Sequence, residues 1–195
     1  MSRLKLLIEL ARLKDHERMT PARMKKYQAK RLRKMLVYTF RHSGYHHRAF
    51  VKAGIDESNI RTATLSAFPV MDKQMLLQNF DQLIIVPDLT QDELRRFDAE
   101  TAADRRAYKG KYHVVHSSGS TGKPGYFVYD EAAWRTMLLG IIRAALWGMS
   151  MKDIVKLLKN GLRIAYIAAT GGRYGGAMAV GDGIDGVGAS QIHLD

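Results

Sequence analysis

Apolar residues recur along this chain with a helical period first and a shorter, strand-like one later. In residues 2–13, Leu4, Leu7 and Ile8 share one face, widened by Leu6, Leu10 and Leu13 and flanked by Arg3, Lys5, Arg12 and Lys14. That spacing predicts a short amphipathic helix. The same period returns at Leu32, Met35, Leu36, Thr39 and Phe40. This second helix should be capped by Thr20, carry Pro21 at its first position and stop at Gly44. A short helix from about Tyr45 should end at Gly54, a glycine suited to a left-handed cap. Asp72 can cap a helix over Lys73–Phe80. Leu83-Ile84-Ile85-Val86 is a short apolar run closed by Pro87-Asp88 and reads as a strand. Thr90-Gln91-Asp92-Glu93 fits a capping box and should open another helix.

From residue 112 the pattern changes. Residues 112–116 and 126–129 are rich in β-branched and aromatic residues and bounded by turn formers, which predicts two strands. Asp130 can cap a helix through about Trp147, with Trp134, Met137, Leu138, Ile141 and Ala145 along one face; Gly148 should break it. A helix from about Met151 to Lys159 should end at Asn160-Gly161. Residues 163–168 read as a buried strand, Gly171 to Gly188 as a glycine-rich stretch, and 191–194 as a last strand. No internal repeat is visible. The strand–helix–strand order predicts an α/β arrangement with parallel pairing. The expected organisation is a mainly helical region over residues 1–105, followed by an α/β segment over residues 106–195.

Between the first two strands lies His116-Ser117-Ser118-Gly119-Ser120-Thr121-Gly122-Lys123-Pro124-Gly125. Glycines let backbone N–H groups converge on an anion, hydroxyls add donors and a lysine adds charge. The natural guest is a polyphosphate; an ordinary turn of the same composition is the alternative. The run is not the G-x-x-x-x-G-K-[ST] phosphate loop. Residue 117 is serine where that pattern needs glycine, and Pro124 stands where it needs a hydroxyl. A strand after the loop suggests a hairpin instead.

Ser117-Ser118-Gly119-Ser120-Thr121-Gly122-Lys123-Pro124 resembles the phosphate-loop signature of the adenylate-forming (acyl- and aryl-CoA synthetase) superfamily. It is closest to the phenylacetate–CoA ligase branch, with its coenzyme F390 synthetase-like and CapK-like members. Residues 32–36, Gly44 to Phe50 and Ala53-Gly54-Ile55-Asp56 look like that branch's opening helices. Phe68-Pro69-Val70-Met71-Asp72-Lys73 resembles its following proline and capped helix. Tyr166 through Thr170-Gly171-Gly172 resembles its glycine-bearing acyl-pocket loop. Gly125 departs from the basic residue many members carry there, and His46 stands where the branch often has tyrosine.

The resemblance implies an ATP-dependent ligase that turns a small carboxylic acid into an acyl-adenylate, with coenzyme A as acceptor and magnesium accompanying ATP. It implies that Ser117, Ser118, Gly119, Ser120, Thr121, Gly122 and Lys123 embrace the ATP phosphates, with Thr121 and Lys123 acting in catalysis. Tyr166, Thr170, Gly171 and Gly172 would line the acid's pocket. Glycines 175 and 176 and Tyr174 extend that reading, against the alternative of a surface loop. Enzymes of this family are more than twice as long, and their ribose contacts, magnesium-binding glutamate, hinge and terminal lysine map to no residue here. The chain is therefore expected to be an N-terminal part that does not complete catalysis alone and needs a missing C-terminal part or partner chain.

Composition adds limits. The chain of 195 residues has no cysteine, so thiolate metal sites, disulfides and a thiol nucleophile are excluded. No long apolar run suggests a membrane span or signal-peptide core, and a cytoplasmic location is expected. The formal charge is +12, and residues 1–43 carry most of the excess, with 13 Lys and Arg against 3 Asp and Glu. A solvated helix face, peripheral docking on an anionic membrane and docking on an acidic partner all fit. Nucleic acid is not an expected partner, because no binding motif accompanies the charge. This basic region also supplies the alternative function, a non-enzymatic module that binds an anionic surface through residues 1–43.

His42 and His46 are four apart, but Gly44 between them argues for capping or solvated roles, and no metal site is expected. His113 and His116, three apart on a strand, should face opposite ways. His116 adjoins the loop and is a candidate nucleotide contact. Trp134 and Trp147 fit packing roles.

Overall fold

Thr20 starts the longest described helix, its side chain accepting the Arg23 N–H, with Pro21 at the first position where a missing N–H costs nothing. A computed structural model describes residues 3–100, 106–117, 123–160, 173–176 and 178. The strands read at 163–168 and 191–194, and most of the glycine-rich stretch, lie outside these residues. The architecture is mostly helical with a two-stranded antiparallel sheet. The chain divides into two compact units, one of Met19–Arg96 and one of Met1–Arg18 with Phe97–Asp195.

The 19–96 unit holds α2 (Pro21–His42), α3 (Gly44–Lys52), α4 (Lys73–Gln78), α5 (Phe80–Leu83) and the start of α6 (Gln91–Glu100), and α2, α3 and the segment after α3 build a core. Leu36 and Phe40 of α2 meet Phe50 of α3, then Ile55, Ile60 and Phe68, with Leu32 and Val37 packed beside them. The Phe50 and Phe68 rings meet edge to face at 5.0 Å. The buried row is thus Leu32, Leu36 and Phe40, while Met35, read as part of the apolar stripe, is 59% exposed.

Gly44 does not end α2. Buried Ser43 closes α2 through its backbone N–H and caps α3 with its side chain, and Gly44 becomes the first residue of α3. Gly54 does take the left-handed conformation expected at a helix end, with φ +77°. Asp72 caps α4 by accepting the Met75 N–H at 2.8 Å. The predicted helix is interrupted at Asn79 and resumes as α5.

Leu83-Ile84-Ile85-Val86 is not a strand. Leu83 ends α5, and the Ile84 N–H bonds back to the Phe80 carbonyl. A strand needs a ladder partner for its backbone groups, and among the described residues neither a strand pairing nor an isolated bridge involves residues 83–86. The Thr90–Glu93 capping box forms as expected, the Glu93 carboxylate accepting the Thr90 N–H and the Thr90 hydroxyl oxygen accepting that of Glu93.

In the other unit, α1 (Arg3–Asp15) lies against α7 (Glu131–Ala145) through a Glu9–Arg135 ion pair. Glu17, on the turn after α1, joins Lys14 at 2.7 Å and Arg143 at 3.5 Å. The Lys14 hydrogen bond, then Arg143, holds the Glu17 carboxyl below its ordinary range. Strands β1 (His113–His116) and β2 (Tyr126–Tyr129) form the sheet, and Asp130 caps α7. Val115 of β1 packs with Trp134 and Met178, flanked by Tyr129, Met137 and Leu138. His113 lies flat on Trp134, ring centroids 4.7 Å apart. Trp147, beyond the end of α7, is 67% exposed. Helix α8 (Met151–Lys159) opens with a Ser150–Asp153 capping box.

Candidate functional site

The antiparallel register pairs His113 with Tyr129, Val114 with Val128, Val115 with Phe127 and His116 with Tyr126. The run of hydroxyls and glycines therefore joins two adjacent strands as a hairpin. The parallel pairing expected from the strand–helix–strand order rests on residues 163–168, outside the described residues. One isolated parallel bridge, between His116 and Tyr174, does extend the hairpin on the β1 side.

Ser117 and Gly125 close the neck of the hairpin. The Ser117 N–H donates to the Gly125 carbonyl at 2.9 Å, and the Gly125 N–H donates to the Ser117 hydroxyl oxygen at 2.9 Å. Serine thus earns its place at this position twice, because its side chain answers a backbone donor across the neck. Its own hydroxyl proton is left to donate elsewhere. Lys123 is exposed and enters no ion pair among the described residues. Ser118, Gly119, Ser120, Thr121 and Gly122 lie outside the described residues, as do Tyr166, Thr170, Gly171 and Gly172.

At the root of the hairpin sits a cluster that spans distant parts of the sequence. The His116 N–H donates to the Arg173 carbonyl at 2.9 Å, and the Arg173 N–H points back at His116 Nε2 at 3.2 Å. Nδ1 of the same ring faces the Ser117 carbonyl at 2.9 Å. A carbonyl only accepts, so Nδ1 carries the hydrogen and Nε2 accepts from Arg173. Asp98 lies 3.7 Å from Nε2 and accepts the Tyr126 hydroxyl at 3.1 Å. Tyr174 packs its ring against His116 at 4.7 Å.

Arg173 is fully buried, 0% exposed. Its guanidinium sits over the Phe97 ring at 4.3 Å and donates to the Arg106 carbonyl at 3.1 Å. A buried guanidinium is costly unless its donors and charge are met, so this side chain fixes the backbone around it. His116 and His113 do face opposite ways, one to Asp98 and Tyr174, the other to Trp134 and Glu131. Gly175 follows Tyr174, and a Cβ there would meet Val115 at 3.9 Å, an ordinary contact. Packing at that point therefore leaves room for a side chain.

Asp98 and Arg173 were not among the sequence candidates. One lies in a helix read only for its cap, the other directly follows Gly172, and nothing local marks either. His42 bonds the Tyr38 carbonyl and stacks on that ring, while His46 faces the Ser43 hydroxyl. Among the described residues no group of three His, Asp or Glu side chains could hold a metal ion. No family model, curated protein or solved structure matches the chain.

Proposed function

We propose that this chain is the N-terminal segment of an ATP-dependent, carboxylate-activating ligase of the phenylacetate–CoA ligase type. On this reading the 117–123 loop holds the nucleotide's terminal phosphates while an acid oxygen attacks the α-phosphorus. Acyl-adenylate forms and pyrophosphate leaves; coenzyme A would then accept the acyl group as a thioester and release AMP. Lys123 offsets charge on the departing pyrophosphate, and Thr121 donates a hydrogen bond to it. Ser118, Ser120 and the glycines supply further donors and backbone access. Tyr166, Thr170, Gly171 and Gly172 form part of the acid's pocket. The chain by itself holds nucleotide without turning it over. Magnesium would arrive with ATP; no described residue group fits it, and no step is assigned to it.

One observation carries this reading. The loop springs from the closed neck of a hairpin, braced by Ser117 and Gly125, with the Lys123 ammonium exposed. Two hydrogen bonds at the base of a glycine- and hydroxyl-rich segment suit a loop that must grip an anion and release it. The test is titration calorimetry of the chain with pyrophosphate and with ATP. Wild type should bind both, and Thr121→Ala with Lys123→Ala should remove the heat of binding. Unchanged binding in that double variant would defeat the proposal.

A further inference from the structure

Helix α2 has a second face that the apolar stripe does not use. The helix carries eight cations, Arg23, Lys25, Lys26, Lys30, Arg31, Arg33, Lys34 and Arg41, and no Asp or Glu. Opposite the buried row of Leu32, Leu36 and Phe40 runs a row at helical spacing: Arg31, Lys34, Met35 and Tyr38. Met35 is 59% and Tyr38 50% exposed, and Lys30, Arg31 and Lys34 are exposed and enter no ion pair among the described residues. Arg41, by contrast, is paired with Glu57 at 3.2 Å.

We infer that this face of α2 docks on a lipid bilayer containing anionic headgroups. Charge complementarity selects an anionic partner, since along the 22 residues of α2 no carboxylate offsets the cations. The interleaved apolar groups select lipid. A methionine gains nothing against a phosphate backbone, whereas Met35 and Tyr38 beside Arg31 and Lys34 suit the boundary between headgroups and acyl chains. The helix lies on the surface and does not insert, because its larger apolar face is already spent on Phe50, Ile55 and Phe68. Among the described residues no helix is long and apolar enough to cross a membrane. This surface is independent of the nucleotide reading.

The experiment is vesicle flotation of the whole chain, with phosphatidylcholine alone and with phosphatidylcholine plus phosphatidylserine. The chain should float only with phosphatidylserine, and less as salt rises. Replacing Lys30, Arg31 and Lys34 together by glutamine should weaken binding on the order of a hundredfold. Replacing Lys152, Lys156 and Lys159 of α8, an equal loss of exposed charge, should leave it largely intact. Met35→Ala with Tyr38→Ala should weaken it at unchanged charge, and Arg31→Lys should preserve it. Circular dichroism on each variant shows that the helices persist. No flotation, equal loss from both triple variants, or tighter binding to a single-stranded RNA oligonucleotide than to the anionic vesicles would each overturn the inference.

Discussion

The Arg173 N–H donates to His116 Nε2 at 3.2 Å, while the His116 N–H donates to the Arg173 carbonyl at 2.9 Å. Fifty-seven residues separate the two, yet they hold each other by backbone and side chain together. The clasp fastens the segment after the glycine-bearing stretch to the root of the hairpin, one residue before the loop begins. Removing the imidazole leaves a buried N–H without an acceptor, a cost of about 1–3 kcal/mol. His116→Ala should therefore speed hydrogen exchange at the Arg173 and Met178 amides by tenfold or more, while α8 amides keep their rates. Equal protection in wild type and variant would show that the clasp contributes nothing.

The two tryptophans should separate sharply. Trp134 is 2% exposed, beneath His113 and Tyr129, whereas Trp147 is 67% exposed. Trp134→Ala should cost about 3–5 kcal/mol, a large share of a typical stability of about 5–15 kcal/mol. Trp147→Ala should stay within about 0.5 kcal/mol. Urea denaturation of both variants measures the contrast.

Acid should loosen the 19–96 unit through His46. Burial holds this imidazole below its ordinary value. Because its folded pKa is depressed, protonation favours the unfolded chain. The stability it contributes is complete above the ordinary histidine value and is lost as pH falls through the folded one. Urea midpoints should fall as pH drops below the ordinary histidine value, and His46→Gln should flatten that slope. A slope unchanged by the substitution would assign it to other groups.

Helix α8 should respond at lower pH. Hydrogen bonds from the Ser150 hydroxyl, then from the Ser150 N–H, hold the Asp153 carboxyl below its ordinary value. The stabilisation is present above the ordinary aspartate value and disappears as pH falls through the depressed one. Exchange of the first amides of α8 should accelerate there in wild type and already at neutral pH in Ser150→Ala, a cap loss of about 1 kcal/mol.

Local chemistry was the most legible part of the sequence. Thr20-Pro21, Asp72, Thr90–Glu93 and Asp130 each announce a helix start, because a cap is a contact between residues two or three apart. Gly54 and the two hairpin strands were readable for the same reason. Leu83–Val86 misled because a short apolar run has no period to tell a helix exit from a strand. Gly44 misled because Ser43 does both capping jobs first. The basic run over residues 1–43 reads as continuous, yet α1 belongs with residues from 97 onward and α2 with those to 96. The long-range pairings of Glu9 with Arg135 and of Glu17 with Arg143 reveal that. A phosphate-binding role for residues 117–123 could be proposed from their types, but the contacts at the hairpin's root could not. Asp98, His116 and Arg173 acquire meaning only through contacts that no local pattern encodes.

The segment between Ser117 and Gly125 is proposed to hold a polyphosphate. Backbone amide chemical shifts of the isotopically labelled chain, followed while pyrophosphate is added, test it most directly. Saturable shifts concentrated at Ser117–Gly125 and at Arg173 are expected, with Lys123→Ala weakening the affinity about tenfold or more. Shifts confined to α2, or none at the hairpin at saturating pyrophosphate, would contradict it.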